Sequence, residues 1–298
     1  MPITQIDPQK SPTYRLLIIG CGDIGQRLAQ KITPQGYEVT GLRRSLIADL
    51  PHLHYTVCDV TEADSLKPIL ATGFDVIVIS MTPSARSDAG YQRAYVDTCR
   101  NLVHSLRALQ QQPRLVIFVS STGVYTQDDG NWINEDSPTT PETFSGKRLL
   151  EAEQIIAGSG FAHTIVRFSG IYGPGRNRLI EQVVQQRASA STAYTNRIHA
   201  DDCAGVLAHL IKQSVQQPLA PLYLATDSSP TPMVDVVSWI AARLGIENFL
   251  SADAVNERGN KRISNQRLLQ SGYQFIYRDY QQGYSEMLKS YADILKRR

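Results

Sequence analysis

Three features are scarce in this sequence, and each scarcity argues against a class of protein. The four cysteines are widely scattered without a C-x-x-C pair, so we expect reduced thiols in a cytoplasmic protein rather than a disulfide framework. Neither sign of charge is in large excess, with 30 Lys and Arg against 28 Asp and Glu, which gives no basis for nucleic-acid binding. The longest apolar runs, such as LLII and VIVI, are far shorter than the roughly 20 residues of a membrane helix.

Metal-binding spacings are scarce as well. The one close histidine pair, His52 and His54, stands in a loop or strand start without an evident supporting carboxylate or thiol, so we predict no metal site. The expected partner is therefore a small-molecule substrate, with no nucleic acid and no membrane.

The sequence does have a regular alternation of short apolar runs and helical stretches over its first 170 residues. Buried strands separated by helices predict an α/β fold, namely a Rossmann-type doubly wound parallel sheet. Strands are expected near 16–19, 37–42, 54–58, 75–80, 114–120 and 163–168, with helices near 23–33, 61–71, 88–110 and 143–158. Beyond residue 169 we expect a mixed α/β pattern, with helices near 177–188, 200–213, 231–244, 264–271 and 280–296 and strands near 195–199 and 221–225.

These patterns predict three parts of the 298-residue chain. Residues 1–13 are polar and proline-bearing, and we expect a disordered tail there. Residues 14–168 are expected to form the Rossmann domain, and residues 169–298 a smaller substrate lobe that is interleaved with it in one unit. Ligands of open α/β sheets bind at the carboxyl ends of the strands, so we expect the functional residues there.

The strongest local signal is a glycine-rich turn after the first predicted strand. Gly20, Gly22 and Gly25 form G-x-G-x-x-G between an apolar strand and an amphipathic helix. The first glycine permits the tight turn, the second lets a pyrophosphate approach the backbone, and the third lets helix and strand pack closely. We therefore predict a dinucleotide site at the start of this helix, where Asp23 and Ile24 lie in the first turn.

The end of the second predicted strand indicates which dinucleotide binds. An NAD-binding protein usually places a carboxylate there for the ribose hydroxyls, whereas this chain places Arg43 and Arg44 there. Two guanidinium groups suit a 2′-phosphate, so we predict NADP as the cofactor and regard NAD as the less favoured one. The alternative is a solvated strand end without a ligand.

Three hydroxyl side chains, Ser120 to Thr122, end the fifth predicted strand and precede Gly123-Val124-Tyr125. Together with the glycine turn, this segment resembles the extended short-chain dehydrogenase/reductase superfamily, which includes sugar-nucleotide epimerases and dehydratases. Arg167–Gly175 is similar to its R-x-x-N-x-Y-G-P-G segment, and Arg197–Asp202 to its V-D-V-D-D segment. The resemblance spans nearly the whole chain and implies an NAD(P)-dependent, epimerase/dehydratase-like protein.

The resemblance also implies roles for individual residues. It places Ser121 on the family's catalytic serine, which hydrogen-bonds the reacting oxygen, and Lys147 on the lysine that contacts the nicotinamide ribose. Asp59 matches the acidic position that contacts adenine, and the implied cofactor set extends to Val60 and Ser80. Family members often dimerise through two helices, so the resemblance implies a homodimer.

Departures from the family pattern mark this chain as a divergent member. Thr143 stands where the family's Y-x-x-x-K motif has its tyrosine, and a threonine hydroxyl is far too weak an acid to replace a phenol. Gly170 stands in place of an asparagine that contacts the substrate diphosphate, and Tyr95 in place of one that orders the active site.

Other residues at the same edge of the sheet are candidates for the missing functions. Tyr125 and Tyr172 are candidate phenols, although ordinary packed tyrosines would look the same in sequence. Arg176 and Arg178 could hold an anionic substrate group, with a solvated helix start as the alternative.

Two functions remain open from the sequence. The first is an NADP-dependent oxidoreductase or epimerase-like enzyme, acting by hydride transfer on a small polar or sugar-derived substrate whose oxygen Ser121 polarises. The second is a catalytically silent NADP-binding sensor or scaffold protein. Thr143 favours the second function, whereas the glycine-rich turn, the hydroxyls of Ser120 to Thr122 and Lys147 favour the first.

Overall fold

The computed structural model describes residues 14–45, 47–251 and 259–296, and the predicted tail at 1–13 lies outside them. The strands are β1 Tyr14–Ile19, β2 Tyr37–Arg43, β3 His54–Val57, β4 Val76–Ile79, β5 Leu115–Ser121, β6 Trp132–Ile133, β7 His163–Phe168, β8 Gly170–Tyr172, β9 Ala188–Ser189, β10 Tyr194–Thr195, β11 Arg197–His199, β12 Leu222–Ala225, β13 Thr231–Pro232, β14 Leu250–Ser251 and β15 Arg262–Ile263. The α-helices are α1 Asp23–Ile32, α2 Lys67–Leu70, α3 Asp88–Tyr91, α4 Thr98–Ala108, α5 Phe144–Ala157, α6 Arg178–Val184, α7 Ala200–Gln213, α8 Met233–Leu244, α9 Gln266–Gln270 and α10 Tyr280–Lys296.

Seven strands form one parallel sheet in the order β12-β7-β5-β4-β1-β2-β3. The order in which successive strands are added to the sheet changes direction between β1 and β4. The doubly wound fold has the same switch point, and nucleotides bind there. Strands that are buried on both faces need continuous apolar runs, and all four residues of β4 are fully buried. The predicted fold class is therefore confirmed.

The register of the sheet aligns the strand ends that matter for function. Ile19 of β1 lies opposite Leu42 of β2 and Ile79 of β4, and Ile79 lies opposite Phe118 of β5. Because these strands run in parallel, the residues that follow them emerge at one edge of the sheet.

The chain divides into two compact units that alternate along the sequence. The first comprises the residues up to 124, 141–166 and 204–222, and the second comprises 125–140, 167–203 and 223–298. In the second unit α6, α8 and α10 enclose a core that includes Ile180, Val237 and Tyr284. The single boundary predicted between residues 168 and 169 stays a prediction.

Two predicted helices differ from the structure. The helix predicted at 61–71 is wrong for most of its length, because α2 spans only Lys67–Leu70. Pro68 lacks a backbone N–H and is tolerated in the first helical turn, so the helix begins just before it. The helix predicted at 88–110 is divided into α3, a π-helix at Gln92–Asp97 and α4. Among the helices of the described ranges, none is long and apolar enough to span a bilayer.

Candidate functional site

The glycine-rich turn lies against the end of β4 in the first unit. Gly20 has φ +77°, a left-handed conformation that favours glycine. A Cβ atom on Gly20 would lie 2.7 Å from both the Ser80 carbonyl oxygen and the Met81 sulfur. The Ser80 N–H donates to the Ile19 carbonyl at 2.8 Å. The structure thus brings Ser80 beside the turn, as the predicted cofactor set requires.

The two other glycines of the turn differ in their surroundings. A Cβ atom on Gly22 would have nothing within 4 Å, whereas one on Gly25 would lie 2.9 Å from the Cys21 sulfur. Gly22 therefore leaves space on the ligand side, and Gly25 allows α1 to approach the turn. Helix α1 begins at Asp23 without a side-chain cap, so its first N–H groups remain available. These features fit a pyrophosphate group.

The ends of β2 and β3 present a cationic pair and a carboxylate. Arg43 is half-buried and Arg44 is exposed, and among the described residues neither guanidinium has a hydrogen bond or an ion pair. The Asp59 carboxylate accepts hydrogen bonds from Thr61 Oγ1 at 2.7 Å and Thr61 N at 3.1 Å. The Thr61 side-chain bond is the main cause that holds the pKa of Asp59 below its usual value. Val60, which follows it, is buried.

The three hydroxyls predicted at the end of β5 face different surroundings. Ser120 is buried and donates to Glu153 Oε1 at 2.5 Å, and Thr122 is also buried. Ser121 is half-exposed, and its Oγ accepts from the Gly123 N–H at 3.1 Å. A hydroxyl that accepts from the backbone still has its own proton to donate. Of these three residues, Ser121 is the one that is more than slightly exposed, and its role toward a substrate stays a prediction.

Helix α5 brings Lys147 to the same edge. Thr143 caps this helix, since its Oγ1 accepts from the Gly146 N–H at 3.2 Å and lies 3.1 Å from Ser145 Oγ. A Cβ atom on Gly146 would lie 3.0 Å from the Gly123 carbonyl oxygen, so the first turn of α5 packs against the residues that follow Ser121. Lys147 is exposed there. The sequence had not indicated the capping role of Thr143.

Tyr125 and Tyr172 belong to the second unit and are almost fully buried. Tyr125 is 2% exposed, donates to the Asn134 carbonyl at 3.1 Å and accepts from Arg167 Nη1 at 2.7 Å. Tyr172 is 4% exposed and stacks on Tyr284 with ring centroids 4.6 Å apart. Burial raises the pKa of Tyr172 above its usual value. These surroundings favour a packing role for both residues.

The second unit also holds the predicted substrate-binding arginines. Arg178 is exposed and opens α6, and Arg176 is half-buried with its backbone N–H donating to the Gly173 carbonyl at 2.9 Å. Gly170 opens β8, where a Cβ atom would lie 3.2 Å from the Asn196 carbonyl oxygen. The role of both arginines in substrate binding stays a prediction.

The histidine pair requires a correction. His54 does have a carboxylate beside it, because its Nδ1 lies 2.7 Å from Asp49 Oδ2. Asp49 also accepts from the Tyr55 N–H at 2.6 Å, so the contact belongs to a local turn. Within the described residues, no group of three or more His, Cys, Asp or Glu side chains could hold a metal ion.

One residue near α5 escaped the sequence analysis. Tyr91 ends α3, and its ring lies edge-on to Phe144 with centroids 5.5 Å apart. The sequence did contain a signal for this residue. Tyr91 lies four residues before Tyr95, which stands at a position that orders the active site in the family, and residues four apart face the same side of a helix.

Comparisons with known proteins agree with this geometry. A sequence profile for proteins described as NAD(P)H-binding matches residues 20–214. Protein YeeZ of Escherichia coli (strain K12) is 29% identical over 216 residues, covering 66% of this chain and 73% of YeeZ. A structure from Methylobacillus flagellatus, provisionally named an NAD-dependent epimerase/dehydratase, is 42% identical, with a TM-score of 0.81 and coverage of 94% of this chain and 99% of its own.

A more distant structure supports the fold alone. The Bordetella bronchiseptica enzyme WbmG, solved in complex with NAD, is 16% identical with a TM-score of 0.78. The match covers 97% of this chain and 96% of WbmG.

Proposed function

Because the chain belongs to the NAD(P)H-binding family, within the extended short-chain dehydrogenase/reductase-like superfamily, we propose that it is an NADP-dependent enzyme. Its reaction would be oxidation, reduction or epimerisation of a small polar or sugar-derived substrate. The observation that carries the choice of NADP is the pair Arg43 and Arg44 at the end of β2. Neither has a hydrogen bond or ion pair among the described residues, so both are available to a 2′-phosphate.

In this proposal, residues of the first unit would contact each part of the cofactor. The open turn at Gly22 and the start of α1 would hold the pyrophosphate, and Asp59 would contact the adenine. Lys147 would donate to the nicotinamide ribose, and the Ser121 hydroxyl would donate to the reacting oxygen of the substrate. When bound, the reduced cofactor supplies the hydride.

Calorimetric titration of NADPH and NADH into the wild type and into Arg43→Ala/Arg44→Ala tests the cofactor assignment. We expect NADPH to bind at least tenfold more tightly than NADH. Loss of the 2′-phosphate contacts should cost on the order of 1.5–3 kcal/mol, which is roughly ten- to a hundredfold in affinity. The double variant should therefore bind both nucleotides about equally.

A variant matched in charge serves as the control. Arg187→Ala/Lys289→Ala removes two exposed positive charges from the second unit and should leave the NADPH preference unchanged. If neither nucleotide binds the wild type below the millimolar range, the glycine turn serves packing and the proposed function fails.

The capping role of Thr143 favours a second function, that of an NADP-binding sensor or scaffold without turnover. Its hydroxyl is engaged at the start of α5 and is not a phenol. A broad panel of carbonyls, alcohols and nucleotide sugars separates the two functions. An oxidoreductase should change the absorbance of NADPH at 340 nm with at least one member. An epimerase regenerates its cofactor in each turnover and should instead convert a nucleotide sugar to its epimer at constant absorbance, which chromatography of the products detects. A sensor would do neither with any member.

A further inference from the structure

The proposed reaction needs a proton donor, and position 143 does not provide one. We propose that the Tyr91 hydroxyl contacts the reacting oxygen of the substrate and exchanges the proton with it. This inference rests on the proposed function. Four features suit Tyr91 to this role. They are its position beside α5, the salt bridge that holds its helix α3, the nearby lysine of α5 and a hydroxyl without a hydrogen-bond partner in the described ranges.

The position of Tyr91 is defined by its contact with the start of α5. Its ring lies edge-on to Phe144, with centroids 5.5 Å apart and an interplanar angle of 83°. Phe144 is the first residue of α5 and directly follows Thr143. A phenol from α3 therefore lies beside the helix turn where the family tyrosine would stand.

The support of Tyr91 comes from a link between α3 and α5. Arg148 binds Asp88 through two hydrogen bonds, Nε to Oδ1 at 2.7 Å and Nη2 to Oδ2 at 2.9 Å. Ser87 caps α3 by accepting from the Gly90 N–H at 3.1 Å. A bidentate contact defines direction as well as distance, so α3 is held in one orientation against α5.

A positive charge faces the same short helix. The pKa of Asp88 lies below its usual value, chiefly because Arg148 hydrogen-bonds to it and additionally because of the charge of Lys147. Lys147 also lies three residues after Phe144, and residues at this spacing share one face of a helix. Lys147 and Phe144, the residue that Tyr91 contacts, therefore lie on one face of α5 in its first turn.

The free hydrogen-bonding capacity distinguishes Tyr91 from the other candidate phenols. Tyr91 is half-buried, and its hydroxyl has no hydrogen-bond partner within the described part of the chain. The Tyr95 hydroxyl donates to the Met81 carbonyl at 3.3 Å, and burial raises its pKa. Tyr125 and Tyr172 are buried in the second unit. Among these four residues, Tyr91 alone is partly exposed and also has a hydroxyl without a hydrogen-bond partner in the described ranges.

The proton step balances in the direction of reduction. Bound NADPH would supply a hydride to the carbonyl carbon of the substrate, and the electron pair of the carbonyl π bond would move to the oxygen. That oxygen takes the proton of Tyr91, while Ser121 donates a hydrogen bond to it. The carbonyl would thereby become an alcohol while the cofactor gives up its hydride, and the Tyr91 tyrosinate would regain a proton from water.

Tyrosine nitration tests the position of Tyr91 without any substrate. Trypsin separates the two neighbouring tyrosines, because Tyr91 lies in the peptide 87–93 and Tyr95 in the peptide 94–100. We expect mass spectrometry to find Tyr91 nitrated in the free protein and at least fivefold less nitrated with saturating NADP⁺. Tyr95 should react little in either state, and an added tyrosine peptide reports the activity of the reagent.

The outcomes distinguish failure of this inference from failure of the proposed function. If calorimetry shows that NADP⁺ binds and nitration of Tyr91 is the same with and without it, Tyr91 does not lie at the site. Absence of nitration in the free protein would likewise overturn the inference. If NADP⁺ does not bind at all, the proposed function fails and the role of Tyr91 fails with it.

Substitution then tests the chemistry, using any carbonyl that the wild type reduces. Tyr91→Phe keeps the ring against Phe144 and removes only the hydroxyl, so we expect turnover to fall at least a hundredfold with NADPH affinity changed less than about twofold. Tyr37→Phe removes a hydroxyl at the opposite edge of the sheet, near Arg114, and should keep wild-type turnover. Equal turnover in Tyr91→Phe and the wild type would refute the proton role.

Discussion

A single buried carboxylate in the second unit shows how strongly the fold changes the chemistry of a residue. Asp227 is 1% exposed, and its Oδ1 accepts from the Ser229 N–H at 3.1 Å. Its Oδ2 is buried without a hydrogen-bond partner in the described ranges. Burial raises the pKa of Asp227 to about 7 although the charge of Arg197 acts in the opposite direction. The folded protein therefore holds this group protonated under mildly acidic conditions.

The consequence is a stability that falls as the pH rises. The pKa of Asp227 is about 7 in the folded protein, against 3.8 for an ordinary exposed aspartate. Between these values the folded state binds more protons than the unfolded state, so the stabilisation linked to this proton is complete below about pH 4 and lost as the pH passes 7. In urea unfolding, the free energy of the wild type should decrease relative to Asp227→Asn by up to about 4 kcal/mol between pH 4 and pH 8.

An exposed aspartate provides the comparison for this prediction. Asp235 lies on the surface of α8, so Asp235→Asn should keep the pH dependence of the wild type. An identical pH dependence in Asp227→Asn and the wild type would show that the carboxylate is already ionised in the folded protein.

Among the secondary-structure elements, β1, β2 and α1 meet around the side chain of Cys21. This thiol is fully buried, and burial raises its pKa to about 12. A Cβ atom would lie 2.7 Å from the Cys21 sulfur if added to Gly41 of β2, and 2.9 Å from it if added to Gly25 of α1. Gly41 of β2 thus packs against the glycine-rich turn, although it lies outside the G-x-G-x-x-G motif.

This contact predicts coupling between two positions twenty residues apart. Gly41→Ala should destabilise the fold by about 1–3 kcal/mol, because an added methyl group overpacks the site. Cys21→Ala removes the sulfur but keeps the Cys21 Cβ, which would lie 2.8 Å from the added methyl group. It should therefore recover only part of that loss, with a coupling of at least about 0.5 kcal/mol in a double-mutant cycle. Urea unfolding of the four proteins measures it, and strictly additive effects would contradict the contact.

Gly22→Ala is the matched control for the same element. A Cβ atom there meets nothing within 4 Å, so the free energy of unfolding should stay close to that of the wild type.

Over the whole chain, the sequence predicted the order of strands and helices well where periodic apolar runs were present. The predicted strands at 37–42 and 163–168 match β2 Tyr37–Arg43 and β7 His163–Phe168. The prediction of a helix at 61–71 failed because its polar residues form the hydrogen bonds of a local turn instead, in which Ser65 Oγ donates to the carbonyls of Asp59 and Glu62.

The homodimer implied by the resemblance stays a prediction.

The glycine-rich turn, the two arginines at the end of β2 and the alternation of strands and helices could all be read from local sequence. Each depends on neighbouring residues or on a short period, so the pattern already contains the physical cause. Three other properties depended on the three-dimensional packing. These are the burial of Ser120 beside a half-exposed Ser121, the burial of Tyr125 and the contact of Tyr91 with Phe144. Those properties are set by residues distant in sequence, because burial and distance arise only when separate elements pack together.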